Sequence, residues 1–75
     1  MKPQTYTEQE LVELLRARQA GMTLKLYAAD IGISFQFLSQ ILNEKRPVSN
    51  ERVLAYLAGP RKKFVQQSVY VLVDD

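Results

Sequence analysis

The spacing of apolar positions in the first part of the chain predicts an amphipathic helix over residues 8–20. Thr7 and Glu10 stand three residues apart, as in a capping box, where each side chain accepts a hydrogen bond from the backbone N–H of the other residue. Gly21 offers a point of termination. The preceding segment, 1–6, has no such periodicity and is expected to be a flexible arm.

Two further helices are predicted on either side of a short turn at Gly32. Thr23 is the expected cap of helix 2, and Ser34 is the expected cap of helix 3, residues 35–43. Gly32 permits the positive φ angle that so short a turn requires. On helix 3, a rotation of 100° per residue separates an apolar side from an exposed arc. The apolar side contains Phe37, Leu38, Ile41 and Leu42, and the arc contains Phe35, Gln36, Ser39, Gln40 and Asn43.

The next part of the chain predicts a fourth helix. Ser49 or Asn50 caps this helix, and Gly59 followed by Pro60 ends it. Beyond it, β-branched and aromatic residues replace the helical pattern and predict a strand, which is strongest over residues 69–73. The pattern therefore describes a mostly α protein with a C-terminal β-strand.

The predicted strand needs a partner for its backbone N–H and C=O groups. An internal hairpin around residues 67–68 is not favoured, because neither residue readily adopts the positive φ of a tight turn. We therefore expect the tails of two chains to pair antiparallel in a twofold-symmetric dimer, with an intramolecular hairpin as the alternative. In the dimer, Val69, Val71 and Val73 face the helices, and Tyr70 and Leu72 face the other side.

Composition narrows the classes of function. The 75 residues, 47% hydrophobic and 24% charged, suffice for one folded domain and are too apolar for a disordered chain. With no cysteine and no histidine, the sequence offers no thiolate or imidazole catalyst and no Cys/His zinc site. No catalytic motif is recognisable in the rest, so we expect neither an enzyme nor a cofactor. No apolar stretch is long enough to span a bilayer and the start is polar, which predicts a cytoplasmic protein.

The charges are segregated along the chain. Residues 1–15 carry one lysine against three glutamates, a net −2. Residues 16–63 carry nine basic against three acidic side chains, a net +6, and residues 64–75 end with two aspartates. A basic middle between acidic ends is compatible with a surface that binds a polyanion, or with ordinary solvated surface.

The middle of the chain resembles a known DNA-binding family. Residues 23–58, and in particular the stretch YAADIGISFQFLSQILNEKRPVS, are similar to the Cro and lambda-repressor-like (XRE-type) helix-turn-helix family, including small phage and prophage regulators. The resemblance implies a helix-turn-helix domain of four to five helices over residues 1–60. Residues 61–75, which contain the predicted strand, are the expected dimerisation tail. The residues that carry it are Ala28, Gly32, Ser34, Leu38, Ser39, Ile41 and the loop Lys45, Arg46 and Pro47.

The resemblance also implies which residues contact double-stranded DNA. In this family helix 3 lies in the major groove and helix 2 spans the backbone. Side chains on the exposed arc would read base edges, glutamines pairing with adenine and Phe35 packing on a thymine methyl group unless it covers the core. The expected base readers are Phe35, Gln36, Ser39 and Gln40. The expected phosphate contacts are Lys25, Ser34, Asn43, Lys45 and Arg46.

Two positions depart from the family pattern. Leu24 stands where such proteins often place a glutamine that bonds a phosphate. Glu44 replaces the glycine that commonly follows helix 3, so either Asn43 takes the terminating conformation or the helix runs longer. Outside the motif, the basic run 61–63 is either a second phosphate clamp or a charged flank that discourages strand aggregation.

The function expected from these observations is a sequence-specific transcriptional regulator. The simplest form is a homodimeric repressor that occupies a palindromic operator. One alternative is the antitoxin of a toxin–antitoxin pair, in which the tail or helix 1 masks a protein partner. Another is a protein-interaction adaptor that kept the fold without binding DNA.

Overall fold

The computed structural model describes residues 4–74, which form four α-helices and one antiparallel three-stranded sheet. This confirms a mostly α fold with β-structure at the C-terminus. The sheet has the order β1-β3-β2. The helices are α1 (Glu8–Gln19), α2 (Leu24–Ile31), α3 (Phe35–Leu42) and α4 (Glu51–Ala58), and the strands are β1 (Gln4–Tyr6), β2 (Lys62–Gln66) and β3 (Tyr70–Asp74).

The ends of α1 and α4 follow from local side-chain chemistry. Thr7 Oγ1 accepts from the Glu10 backbone N–H at 3.2 Å, and Glu10 Oε1 accepts from the Thr7 N–H at 2.9 Å, so the predicted capping box is present. Of the two predicted caps of α4, Asn50 is the one used, and its Oδ1 accepts from two backbone N–H groups. Gly59 ends α4, as predicted.

The core lies between the four helices and the loop that follows α3. Tyr27 is at its centre, where the hydroxyl donates to the Leu15 carbonyl at 2.7 Å and the ring meets that of Tyr56 edge-on at 5.7 Å. Because the donor and acceptor satisfy each other, a large aromatic residue fills the core without an unpaired polar group. The fully buried side chains are Tyr27, Leu11, Leu15, Leu38, Ile41, Val48 and Val53.

The expectation of a flexible N-terminal arm is wrong for residues 4–6, which form β1 and pair with β3. Residues 1–3 of that arm lie outside the described residues. The pairing joins Tyr6 to Tyr70, 64 positions apart, so no local pattern signals it. A three-residue strand is stable here because Tyr6 packs edge-on against Phe64 at 5.8 Å between ring centroids.

The intramolecular hairpin, which the sequence left as the less favoured alternative, is the arrangement that forms. β2 and β3 pair antiparallel within the chain, with Gln66 opposite Tyr70. Residues 67–69 close the hairpin, and the Gln67 N–H donates to the Val69 carbonyl at 2.9 Å. A loop of three residues replaces the two-residue turn, and none of the three has a positive φ, so the missing glycine is no obstacle.

These pairings correct the expected arrangement of the tail. β3 is the central strand and has neighbours on both sides, so its edges are not open to a second chain. The two faces are also reversed from those expected, since Tyr70 is 4% exposed and packs into the core. By strand alternation Leu72 shares that face, and Val71 lies on the outer face. Val71 pairs there with Val65, which is 36% exposed.

Candidate nucleic-acid interface

Short side chains cap the N-terminal ends of α2 and α3, the two helices on either side of the turn at Gly32. Thr23 Oγ1 accepts from the Leu26 N–H at 3.2 Å, and Ser34 Oγ accepts from the Phe37 N–H at 3.1 Å. Between the two helices Gly32 has a φ of 93°, and its N–H donates to the Ala28 carbonyl at 2.8 Å. The local geometry is therefore the one predicted, with glycine at the position that requires a left-handed backbone.

The exposed arc of α3 consists of the residues predicted for it. Phe35 is 44% exposed and therefore does not cover the core. Gln36 and Asn43 are exposed, and Ser39 and Gln40 are half-buried. On the opposite side, Leu38 and Ile41 are fully buried, and they hold the helix against the rest of the core.

The loop after α3 folds back onto the helix that precedes it. The backbone N–H of Lys45 donates to the Gln40 carbonyl at 2.8 Å, and that of Arg46 donates to the same oxygen at 3.3 Å. The Arg46 side chain donates from Nε to Gln40 Oε1, and its guanidinium carbon lies 5.4 Å from the centre of the Phe37 ring. Arg46, expected as a phosphate contact, is thus placed directly beside a candidate base reader.

The other expected phosphate contacts surround this arc. Lys25 is exposed in the first turn of α2, and Lys45 is exposed in the loop after α3. Ser34 uses a lone pair in capping α3, which leaves its hydroxyl proton available to a phosphate oxygen. Asn43 Nδ2 donates to Ser39 Oγ at 3.4 Å, one helical turn away.

Glu44 adopts a backbone conformation that neither alternative expected from the sequence describes. α3 ends at Leu42, Asn43 has φ −90° and ψ 8°, and Glu44 itself takes the left-handed conformation with φ 60°. Its N–H donates to the Ile41 carbonyl at 3.0 Å. Glu44 therefore makes the left-handed turn that glycine commonly makes after this helix, although it carries a side chain.

Two positioning residues are not indicated by any pattern in the sequence. Arg16, on α1, donates from Nη2 to the Leu42 carbonyl at the C-terminal end of α3. Glu8 accepts from the Val48 N–H in the loop after α3, and from the Tyr70 hydroxyl at 3.2 Å. An acidic residue at the start of α1 and a basic one near its end are explained by the helix dipole. Nothing in the sequence therefore indicated partners 26 to 62 residues away.

Two tyrosines behind the interface have raised pKa values. Burial in the core, and then the neighbouring Tyr56, raise the pKa of Tyr27 far above its ordinary value. Burial, and then the nearby Glu8 carboxylate, raise the pKa of Tyr70. Both hydroxyls therefore stay neutral and donate hydrogen bonds at physiological pH.

The comparison with known families agrees with this geometry. A family model described as helix-turn-helix matches residues 12–64, which is more than half of the chain. The chain belongs to the Cro and lambda-repressor-like helix-turn-helix family. Neither a curated protein nor a solved structure matches it significantly.

Membership of the helix-turn-helix family makes this chain a DNA-binding regulator of the XRE type and assigns it to no catalytic class. In helix-turn-helix proteins the second helix of the motif enters the major groove, and here that helix is α3. Within residues 4–74, no helix has both the length and the apolar character needed to cross a membrane.

Proposed function

We propose that this protein is a sequence-specific transcriptional repressor that binds double-stranded DNA as a homodimer. The observation that carries the proposal is the exposed arc of α3, where polar side chains project from a helix that the fully buried Leu38 and Ile41 anchor on its other side. Such a rigid mounting supports base readout, because a reading side chain must be held in place before it meets the groove. The proposed base readers are Phe35, Gln36, Ser39 and Gln40.

Phosphate contacts would set the register of α3 on the duplex. The candidates flank the arc at the start of α2 and in the loop after α3, and residues 16–63 carry the net +6 that attracts the DNA backbone. The proposed contacts are Lys25, Ser34, Asn43, Lys45 and Arg46. Repression then needs only occupancy of a promoter. Such a regulator, encoded by a bacterium or a phage, would act in the bacterial cytoplasm.

Dimerisation through the sheet would place two recognition helices on one palindromic site. Because β3 already has two neighbours, we assign the contact to the outer face of the sheet, where Val65 and Val71 are paired. Val73 continues this face along β3 by strand alternation, and Val69 stands next to it in the hairpin loop. Tyr70 and Leu72 support the face from the helix side. Half-sites would be about 34 Å apart. In this proposal residues 1–60 contain the DNA-binding unit, and β1 within that range joins residues 61–75 in the assembly element.

Selection from a random duplex-DNA pool tests the proposed readout. We expect the wild-type protein to enrich a palindrome at physiological salt, and the double variant Gln36→Ala/Gln40→Ala to lose it. Gln67→Ala makes the same substitution in the hairpin loop and serves as the matched control, which should enrich the same palindrome. A folded wild-type protein that enriches no sequence would overturn the proposal.

Analytical ultracentrifugation tests the proposed dimer. Val65→Glu places a charge on the outer face of the sheet and should shift the protein to a monomer, while Val65→Thr, which keeps the β-branched shape, should leave it dimeric. A wild-type monomer that enriches single half-sites would retain the DNA reader and remove the homodimer. The outer face would then be available to a different protein, as the antitoxin alternative requires.

A further inference from the structure

The side chains of Gln40 and Arg46 form a fixed pair on the exposed arc of α3. Arg46 Nε donates to Gln40 Oε1, and the loop backbone holds the two residues together through the bonds of Lys45 and Arg46 to the Gln40 carbonyl at 2.8 and 3.3 Å. The Phe37 ring supports the guanidinium from beside, at 5.4 Å from its centroid. Two side-chain contacts therefore position the guanidinium of Arg46, and two backbone bonds hold the loop that carries it.

This pairing determines which way the Gln40 amide faces. A guanidinium has only donors, so the group that meets Arg46 Nε must be the amide oxygen and not the amide nitrogen. Nε2 is then directed away from Arg46. Since the bond uses Nε, the two Nη groups of Arg46 remain as further donors next to the Gln40 side chain, whose Nε2 is a donor as well.

The free groups at the ends of the Gln40 and Arg46 side chains are donors, and donors alone do not match adenine, the base that glutamine usually reads. Glutamine reads adenine by accepting from N6 and donating to N7, which needs the same oxygen that Arg46 engages. Guanine presents two neighbouring acceptors, O6 and N7, in the major groove, and two donors match them. Gln36 lies one turn before Gln40, and no hydrogen bond among residues 4–74 engages its amide, so it keeps the adenine pattern.

We propose that Gln40 and Arg46 act as one donor pair that reads a guanine in each half-site, while Gln36 reads an adenine. The inference rests on the proposed function, because it specifies the bases that the recognition helix α3 selects. In this inference Arg46 contacts a base and not a phosphate, and Gln40 does not prefer the adenine first expected for it.

The test compares motifs that four proteins enrich from the random duplex pool. Gln40→Ala identifies the base position under Gln40 as the one whose preference disappears. Wild type should prefer guanine there, and Arg46→Lys, which keeps the charge but loses the planar fork, should reduce the guanine-to-adenine preference about tenfold. The adenine under Gln36 should stay in every motif.

Lys45→Met is the matched control from the same loop. It should weaken binding to all sequences about equally, lower the salt dependence by about one phosphate contact and leave the guanine preference unchanged. Adenine under Gln40 in the wild-type motif, or an unchanged guanine preference in Arg46→Lys, would overturn the inference alone. A wild-type protein that enriches nothing would overturn the proposed function, and these failures are therefore distinguishable.

Discussion

At the scale of single residues, two side-chain-bearing positions among the described residues adopt left-handed backbone conformations. Ala20 does so at the end of α1 with φ 47°, and Glu44 does so after α3 with φ 60°. For a residue with a Cβ this conformation costs about 1–2 kcal/mol. The recognition helix is therefore followed by a turn that the sequence makes less stable than glycine would.

Glu44→Gly should raise the free energy of unfolding by about 0.5–1 kcal/mol, because the relief of left-handed strain exceeds the extra chain entropy of glycine. Urea unfolding measures the change. Glu13→Gly, at an exposed position inside α1, is the matched control and should lower stability by about 1 kcal/mol. Equal losses in the two variants would show that Glu44 carries no such strain.

Tyr27→Phe should lower the free energy of unfolding by about 1 kcal/mol at pH 8, because it removes the buried bond to the Leu15 carbonyl. The deficit should shrink as pH rises. The pKa of Tyr27 is raised in the fold, so above pH 10 the unfolded wild type loses this proton while the folded protein keeps it, and wild-type stability falls. Urea unfolding at pH 8 and pH 11 measures this, and a constant deficit would contradict it.

At the scale of elements, α3 is held at both ends by side chains from elsewhere. Ser34 caps its start, and Arg16 from α1 donates to the Leu42 carbonyl at its end. Arg18, one half-turn further along α1, donates to the Tyr56 carbonyl of α4 at 3.4 Å. Two arginines of α1 thus bind carbonyl groups in the last turns of α3 and α4, where the helix dipole favours a positive charge.

Arg16→Met should weaken binding to the selected DNA sequence severalfold, because α3 loses a contact that sets its angle, while stability falls by less than about 1 kcal/mol. Arg18→Met is the control from the same helix, since it releases α4 instead of α3. Fluorescence anisotropy with labelled duplex measures affinity. Equal effects of the two substitutions would mean that Arg16 acts through general stability or charge.

At the scale of the whole molecule, the sheet pairs β1 with β3, and Glu8 connects it to the loop after α3. Glu8, at the start of α1, accepts from the Val48 N–H in the loop after α3 and from the Tyr70 hydroxyl in β3. Glu8 therefore links β3 to the loop that carries Lys45 and Arg46.

Replacing residues 1–6 with a single methionine should lower the free energy of unfolding by about 2 kcal/mol or more, because β1 and the Tyr6 ring against Phe64 are lost. The open edge of β3 should then promote self-association. Urea unfolding and sedimentation measure the two effects. Tyr6→Phe, which keeps the strand and the ring, should change stability by less than about 0.5 kcal/mol, and a similarly small loss in the truncated chain would contradict the prediction.

The helices and the membership of a DNA-binding family were predictable because their signals are local. Thr7, Thr23 and Ser34 bond N–H groups within three residues, and Gly32 supplies its φ whatever surrounds it. The apolar periods of α1 to α4 likewise require only that each helix bury one side. The base-reading and phosphate roles inferred from the family remain predictions.

Tertiary structure alone decided the features that depend on distant partners. β1 forms because β3 lies beside it. Tyr70 turns inward because its ring fits into the core and its hydroxyl donates to Glu8. Gln40 faces Arg46 because the loop after α3 folds back. The sequence by itself determined the four helices, the N-terminal caps of α1 to α3 and the exposed arc of α3, since each depends on neighbours within one or two turns. The sheet, the face that its valines present and the orientation of the Gln40 amide depend on pairing energies that no local pattern records.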